Sequence, residues 1–183
     1  MRILGGIRQG RILHPPSNLP VRPTTERTRE SVFNILSNQL QFEGLKVLEL
    51  FAGTGMFSLD CASRGAETWS VDQHSGCVHW LKQASKDLDL PFMQARRADS
   101  LRYIQSAGPD FDLIFADPPY QWNGFNALLN LISQGHGLKT GGLFILEHAS
   151  NMEPGFKHAL SSRRHYGQST LSFFVFDKKI LIE

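Results

Sequence analysis

Val47-Leu48-Glu49-Leu50-Phe51-Ala52-Gly53-Thr54-Gly55 reads as a buried strand that runs into a glycine-rich turn and then a helix. In an open α/β sheet such a turn lies at the carboxyl edge, where ligands bind. Glycine lets the backbone approach a ligand closely and take conformations that a side chain forbids. A Gly-x-Gly pair is also a plain strand-to-helix turn, so its surroundings decide the reading. A dinucleotide fingerprint needs another glycine or alanine three places after Gly55, and that position is Ser58. No Gly-Lys-Ser/Thr follows, which removes the phosphate-binding Walker loop. Asp72 closes the next strand-like segment, where a carboxylate can accept hydrogen bonds from both hydroxyls of a ribose or, alternatively, cap the helix that begins near His74. Asp99, followed by Ser100, can accept from an adenine amino group or cap the helix before Leu101. A nucleoside without phosphates fits this set best.

Outward from that stretch, strand-like and helix-like segments alternate. Strands are expected at Lys46–Phe51, Glu67–Asp72, Phe92–Ala95, Phe111–Ala116, Gly142–Glu147, around His165 and at Leu171–Phe176. Helices are expected from Gly55, from His74 to Leu88, after Asp99, near Phe125–Ser133 and near Pro154–Leu160. Alternation of this kind predicts a doubly wound, seven-stranded, mostly parallel sheet with helices on both faces. The last two strands are joined by too little chain for a crossover helix, so they should pair as an antiparallel hairpin. Before the first strand, a helix should start at Thr24 or Thr25, with Thr28, Val32, Ile35 or Leu36, and Leu40 on its inward face. Arg2 to Pro23, rich in Gly, Pro and Arg, reads as a basic arm or small hairpin appended to the core. The expected division is therefore an arm over residues 1–23 and a catalytic domain over 24–183.

Phe111-Asp112-Leu113-Ile114-Phe115-Ala116 is an apolar strand, and Asp117-Pro118-Pro119-Tyr120 follows at its carboxyl end. An aromatic amine is a poor nucleophile because its lone pair is delocalised into the ring. The carboxylate of Asp117 and the carbonyl oxygen of Pro118 can accept both amine hydrogens and draw the nitrogen toward tetrahedral geometry, aiming the lone pair at a sulfonium methyl. Pro118 and Pro119 fix that carbonyl and bring no competing amide hydrogens, while Tyr120 offers a face on which a flipped base can stack. A bare Asp-Pro-Pro turn would explain the prolines but not Tyr120. Methyl transfer to a ring carbon would need a cysteine nucleophile in a Pro-Cys setting, and neither Cys61 nor Cys77 has one.

The bulk properties agree with one catalytic domain. The chain has 183 residues, 41% of them hydrophobic, enough for one core but not for two full-sized domains. Cys61 and Cys77 form no Cys-x-x-Cys pair and the histidines do not cluster at ligand spacing, so no disulfide framework and no metal site are indicated. No signal-peptide-like stretch or long apolar run is present, which suits a cytoplasmic protein that neither enters nor crosses a membrane. The net charge of +2 is unevenly spread: residues 1–30 hold six arginines against Glu26 and Glu30, so the remainder is net negative. Arginines clustered at the front suit phosphate oxygens, although a solvated face is the plain alternative.

Taken together, these residues resemble the class I S-adenosylmethionine-dependent methyltransferase superfamily and, within it, the bacterial 16S ribosomal RNA guanine-N2 methyltransferases of the RsmD type. The resemblance covers nearly the whole chain. Its specific part is Arg22-Pro23-Thr24-Thr25-Glu26-Arg27-Thr28-Arg29-Glu30-Ser31-Val32-Phe33-Asn34, preceded by the arginine- and glycine-rich arm. It implies a Rossmann-like fold that binds S-adenosyl-L-methionine. Thr28 would hold the methionine end, Glu49 and Phe51-Ala52-Gly53-Thr54-Gly55 would line the pocket, Asp72 would hold the ribose, and Asp99 with Ser100 would meet the adenine. The target guanine would sit at Asp117, Pro118, Pro119 and Tyr120. Arg2, Arg8, Arg11 and Arg22 would grip RNA, and Arg164-His165-Tyr166-Gly167, through Arg164 and Tyr166, would lie beside the target base. The implied partner is ribosomal RNA within the small subunit or its assembly intermediate. The chain departs from the family pattern at Asp72, often glutamate, and at Arg164, where lysine is expected.

Three other readings remain open at this point. An adenine-N6 methyltransferase acting on DNA or RNA uses the same tetrapeptide chemistry, but DNA enzymes usually add a domain for sequence reading that this length lacks. A catalytically silent RNA-binding module would be expected to have lost the tetrapeptide or the glycine turn. An NAD-linked oxidoreductase is opposed by Ser58.

Overall fold

A computed structural model describes residues 1–21, 26–108 and 110–176. The chain divides into two compact units, Met1–Ser100 and Leu101–Glu183. Arg22, the helix start at Thr24 or Thr25, and the expected boundary after Pro23 all lie outside the described residues.

In the first unit, α1 (Glu26–Ser37) precedes β1 (Lys46–Leu50), α2 (Met56–Ser63), β2 (Glu67–Asp72), α3 (Ser75–Asp87) and β3 (Met93–Arg97). The strands stand in the order β3-β2-β1 and both pairings are parallel. Four of the five residues of β1 are buried, the pattern of a parallel strand covered on both faces. α1 turns Thr28, Val32 and Leu36 inward, as its periodicity predicts, and buries Phe33 and Arg29 as well; Leu40, expected on the same face, lies beyond the end of the helix and is half-buried. All eight residues of α2 are buried, including Ser58, Asp60 and Ser63. Buried polar groups need partners, and here the arm supplies many of them.

The arm is a small hairpin, bridged between Arg2 and Ile12, with a 3-10 turn at Gly6–Arg8. Its Leu4 amide donates to Asp60 Oδ1 (2.6 Å), and its Arg8 amide donates to Ser63 Oγ (2.9 Å), which in turn donates to Gly5 O (2.6 Å). Gly6 lies so close to α2 that a Cβ there would fall 1.9 Å from Ser63 O. Ile3 is fully buried in the cluster of Met56, Leu59, Val78 and Leu81. The arm is therefore part of the packing around α2, not the appendage that its glycine and proline content suggests. Ile3, with Met1 and Leu13 packed against the same cluster, and the backbone of Leu4, Gly5 and Arg8 seat it.

The second unit holds β4 (Phe111–Ala116), α5 (Phe125–Ser133), β5 (Leu138–Ala149), β6 (Leu160–Tyr166) and β7 (Ser169–Val175), with α4 (Ser100–Ser106) at its start. The strand order is β4-β5-β7-β6: β5 runs parallel to β4, and β7 runs antiparallel to both β5 and β6. Side-chain character explains why the last two strands exchange places. β7 buries five consecutive residues and takes the inner position, whereas Arg163, Arg164 and His165 leave β6 suited to an edge. Strand ends move by a few residues from expectation, most at β5, which begins at Leu138 and not at Gly142.

The short helix expected near Pro154–Leu160 does not form. Residues 151–159 are turn and coil, and Leu160 already opens β6. Phe156 takes a left-handed φ of 62°, incompatible with a continuing helix, and the residues left after Pro154 and Gly155 are too few to nucleate one. Among the described residues no helix is long and apolar enough to cross a membrane.

Candidate active site

The turn after β1 is wound by left-handed residues at every second position: Phe51 (φ 58°), Gly53 (φ 53°) and Gly55 (φ 64°). Glycine takes this conformation freely, but Phe51 carries strain of the kind found where a backbone is shaped for a ligand. Gly55 has a second constraint, because a Cβ there would sit 2.0 Å from Leu81 Cδ2 on α3. The turn is held from the same helix by Trp80, whose indole Nε1 donates to Thr54 O (3.1 Å).

Glu49, buried at the end of β1, accepts the Ser58 amide hydrogen through Oε2 (3.0 Å). Ser58 lies in the first turn of α2, where amides have no partner within the helix. A carboxylate already placed at this helix start opposes a pyrophosphate there, since the N-terminal partial charge that would attract phosphate is shared with Glu49. Burial pushes the Glu49 carboxyl up to about 7, against the lowering influence of Ser58 and Arg29. The folded state thus binds this proton more tightly than the unfolded chain, whose carboxyl titrates near about 4.3. The associated stability is complete below that lower value and is lost as pH rises through about 7. In thermal unfolding without cofactor, Glu49→Gln is expected to be more stable than the parent at about pH 8, by on the order of 1–3 kcal/mol, with the gap shrinking toward about pH 5. A gap independent of pH would show that burial of the charge is not the cause.

Asp72 takes the helix-side role that the sequence offers and also fixes the glycine turn. Its Oδ1 accepts the His74 amide (2.7 Å) at the start of α3, and its Oδ2 accepts the Gly53 amide (2.8 Å) of the glycine turn. Each carboxylate oxygen can accept more than one hydrogen bond, so a diol remains within its capacity while it fixes the turn. Thr28 is buried on α1 and Ser100 is buried at the start of α4. Asp99, just before that helix, is exposed.

In the second unit, β4 ends at Ala116 and the tetrapeptide begins. Two successive prolines hold Asp117 and Pro118 extended, because a residue before proline is kept out of the helical region. Asp117 is half-buried, Pro118 buried and Pro119 exposed. The chain then turns, with the Trp122 amide donating to Pro119 O (2.8 Å) and the Trp122 ring edge-on to Phe125 (5.2 Å between centroids). Tyr120 is 44% exposed, and its hydroxyl lies 2.7 Å from Ser169 Oγ at the start of β7. That contact brings the tetrapeptide to the turn between β6 and β7. Tyr166 is half-buried and stands opposite Ser169 in the strand register. Arg164 is exposed, with Nη1 donating to Arg163 O (2.8 Å).

The arm's arginines differ in their surroundings. Arg2 pairs with Glu26 (2.8 Å). Arg8 reaches the end of α3, donating to Leu88 O and pairing with Asp89 Oδ2 (3.0 Å). Arg11 is exposed. Sequence reasoning did not single out Arg29, Trp80 or Ser169, which contact Arg2, Thr54 and Tyr120 respectively, nor Asp60, which pairs with Arg29. Among the described residues no group of three metal-capable side chains is present.

Residues 1–175 match the family described as Conserved hypothetical protein 95. The chain is 34% identical over 158 residues to "Putative rRNA methyltransferase YlbH" of Bacillus subtilis (strain 168), across 84% of this chain and 85% of that protein. It is 30% identical over 158 residues to "Ribosomal RNA small subunit methyltransferase D" of Escherichia coli (strain K12), across 85% of this chain and 77% of that protein. Among solved structures, "Putative methyltransferase yhhF from Escherichia coli" superposes with a TM-score of 0.85 at 23% identity, over 98% of this chain and 99% of that one. This likeness gives the chain the Rossmann-like α/β fold expected from its alternating segments. With the match spanning all but the last few residues, the chain belongs to the Conserved hypothetical protein 95 family, the RsmD-type family that Arg22 to Asn34 resemble.

Proposed function

We propose that this chain transfers a methyl group from S-adenosyl-L-methionine to the exocyclic N2 amine of a guanine in 16S ribosomal RNA. The observation that carries the reading is the Asp117-Pro118-Pro119-Tyr120 loop at the carboxyl end of β4, with an exposed aromatic ring beside rigidly extended acceptors. Relatives named as ribosomal RNA methyltransferases support the substrate class. The cofactor supplies an electrophilic methyl on a sulfonium. Asp72 would hold its ribose, Glu49 and Phe51 to Gly55 would line its pocket, Thr28 would meet its methionine end, and Asp99 with Ser100 its adenine.

The residues of β4's loop act on the acceptor. Asp117 and the Pro118 carbonyl accept the two amine hydrogens, which localises the nitrogen lone pair, and the ring of Tyr120 stacks on the base so that the amine is presented in line. Arg11 and Arg22 would meet backbone phosphates and Arg164 with Tyr166 would lie beside the target base, while Arg2 and Arg8 contribute through the arm they help to seat. The proposed partner, supported by relatives named as small-subunit ribosomal RNA methyltransferases, is the small subunit or its assembly intermediate, met in the cytoplasm. The test is incubation with labelled cofactor and small subunits lacking the modification, followed by identification of the labelled nucleoside. N2-methylguanosine is expected; N6-methyladenosine, or no label, would overturn the reading.

A further inference from the structure

Tyr120 projects from a loop, and nearly half of its surface is open. A ring in that position has two torsions to fix before it can serve as a stacking platform. The far end of the ring has a second anchor: Tyr120 Oη and Ser169 Oγ are 2.7 Å apart, within hydrogen-bond distance. We infer that Ser169 is a positioning residue for the acceptor base, holding the Tyr120 ring in the orientation on which a planar base stacks. The inference rests on the proposed function and adds a residue to it.

The anchor is itself well held. Ser169 opens β7 and faces Ala149 of β5 on one side and Tyr166 of β6 on the other. The turn that carries it is docked on Ser150: the Ser150 amide donates to Gln168 O (2.9 Å) and the Ser150 hydroxyl to Gly167 O (3.3 Å). Thr170 Oγ1 donates to the same Ser150 hydroxyl (3.0 Å) and lies 2.8 Å from His165 Nδ1. Tyr120 is thereby tied through its hydroxyl to a turn that four further polar contacts keep in place. A β-hairpin turn so far along the chain from the tetrapeptide acquires a role in the reaction through this contact.

Ser169→Ala should lower kcat/KM for methylation of the small subunit by roughly three- to tenfold, the effect of one lost hydrogen bond. Thermal stability and affinity for S-adenosylhomocysteine should stay at the parental level. Tyr120→Phe removes the other partner and should match it, and the double variant should be no worse than either single one, because both changes delete the same contact. Ser169→Thr, which keeps the hydroxyl, should recover most of the activity. Parental kcat/KM in Ser169→Ala, or losses that multiply in the double variant, would overturn the assignment. If the parent protein itself labelled no guanine, the proposed function would fail first; parental labelling with an unaffected Ser169→Ala would sink this inference alone.

Discussion

Asp117→Ala is expected to reduce methyl transfer by on the order of 10³-fold while leaving affinity for S-adenosylhomocysteine within about tenfold. The asymmetry follows from where the side chain acts. On the proposed mechanism its carboxylate accepts from the amine in the reacting geometry, so its loss would raise the barrier without removing a cofactor contact. Removing Asp72 should do the reverse, because that carboxylate belongs to the glycine turn through the Gly53 amide. Single-turnover methylation and calorimetric titration of the same Asp117→Ala preparation measure the two quantities side by side. Turnover comparable to the parent would refute the role given to the tetrapeptide, and a parallel collapse in cofactor affinity would mean that the substitution acts on the fold.

The second large effect belongs to stability. Asp60 is fully buried and accepts from Arg29, from the Leu4 amide at 2.6 Å, and pairs with Arg64 at 3.5 Å. Burial pushes the Asp60 carboxyl up, and the Arg29 charge opposes that shift. Arg29 is itself buried, so Asp60→Ala leaves a guanidinium in the interior without its counter-charge. Breaking a buried pair in this way costs about 3–5 kcal/mol, which for a chain of this length lowers the Tm by on the order of 10 °C. A paired replacement, Arg29→Met with Asp60→Leu, should recover most of the loss, since the cost comes from the orphaned charge. A Tm shift of only a degree or two in Asp60→Ala would show that solvent or another group satisfies Arg29.

These two sites mark where sequence reading succeeds and where it stops. The turns after β1 and β4 are legible because they are local: each strand and its turn are adjacent residues, and the positive φ values at Gly53 and Gly55 follow from residue type. Asp72 was legible as a choice between ribose binding and capping, and the carboxylate has the capacity for both. Arg29 and Asp60 were not, because the pair joins positions 31 apart in the chain and Asp60 sits in a short helix whose pattern does not reveal that every face is covered. Ser169 is 49 positions from Tyr120, a distance over which a serine carries no signal. The missing helix after Pro154 has the opposite origin: a few apolar residues imitate a helical period where the chain is too short to complete one.

The seating of the arm on α2 also bears on how the protein is made. On the ribosome the arm is synthesised well before Asp60 and Ser63, the groups that receive its amides, and before Leu88, to which Arg8 donates. Until those residues leave the exit tunnel, Ile3 has no apolar surface to enter, and the buried carboxylate of α2 later has no amide from Leu4 if the arm has been clipped. Docking of the arm therefore has to follow the synthesis of α2 and α3, which makes it a late step in folding of the first unit.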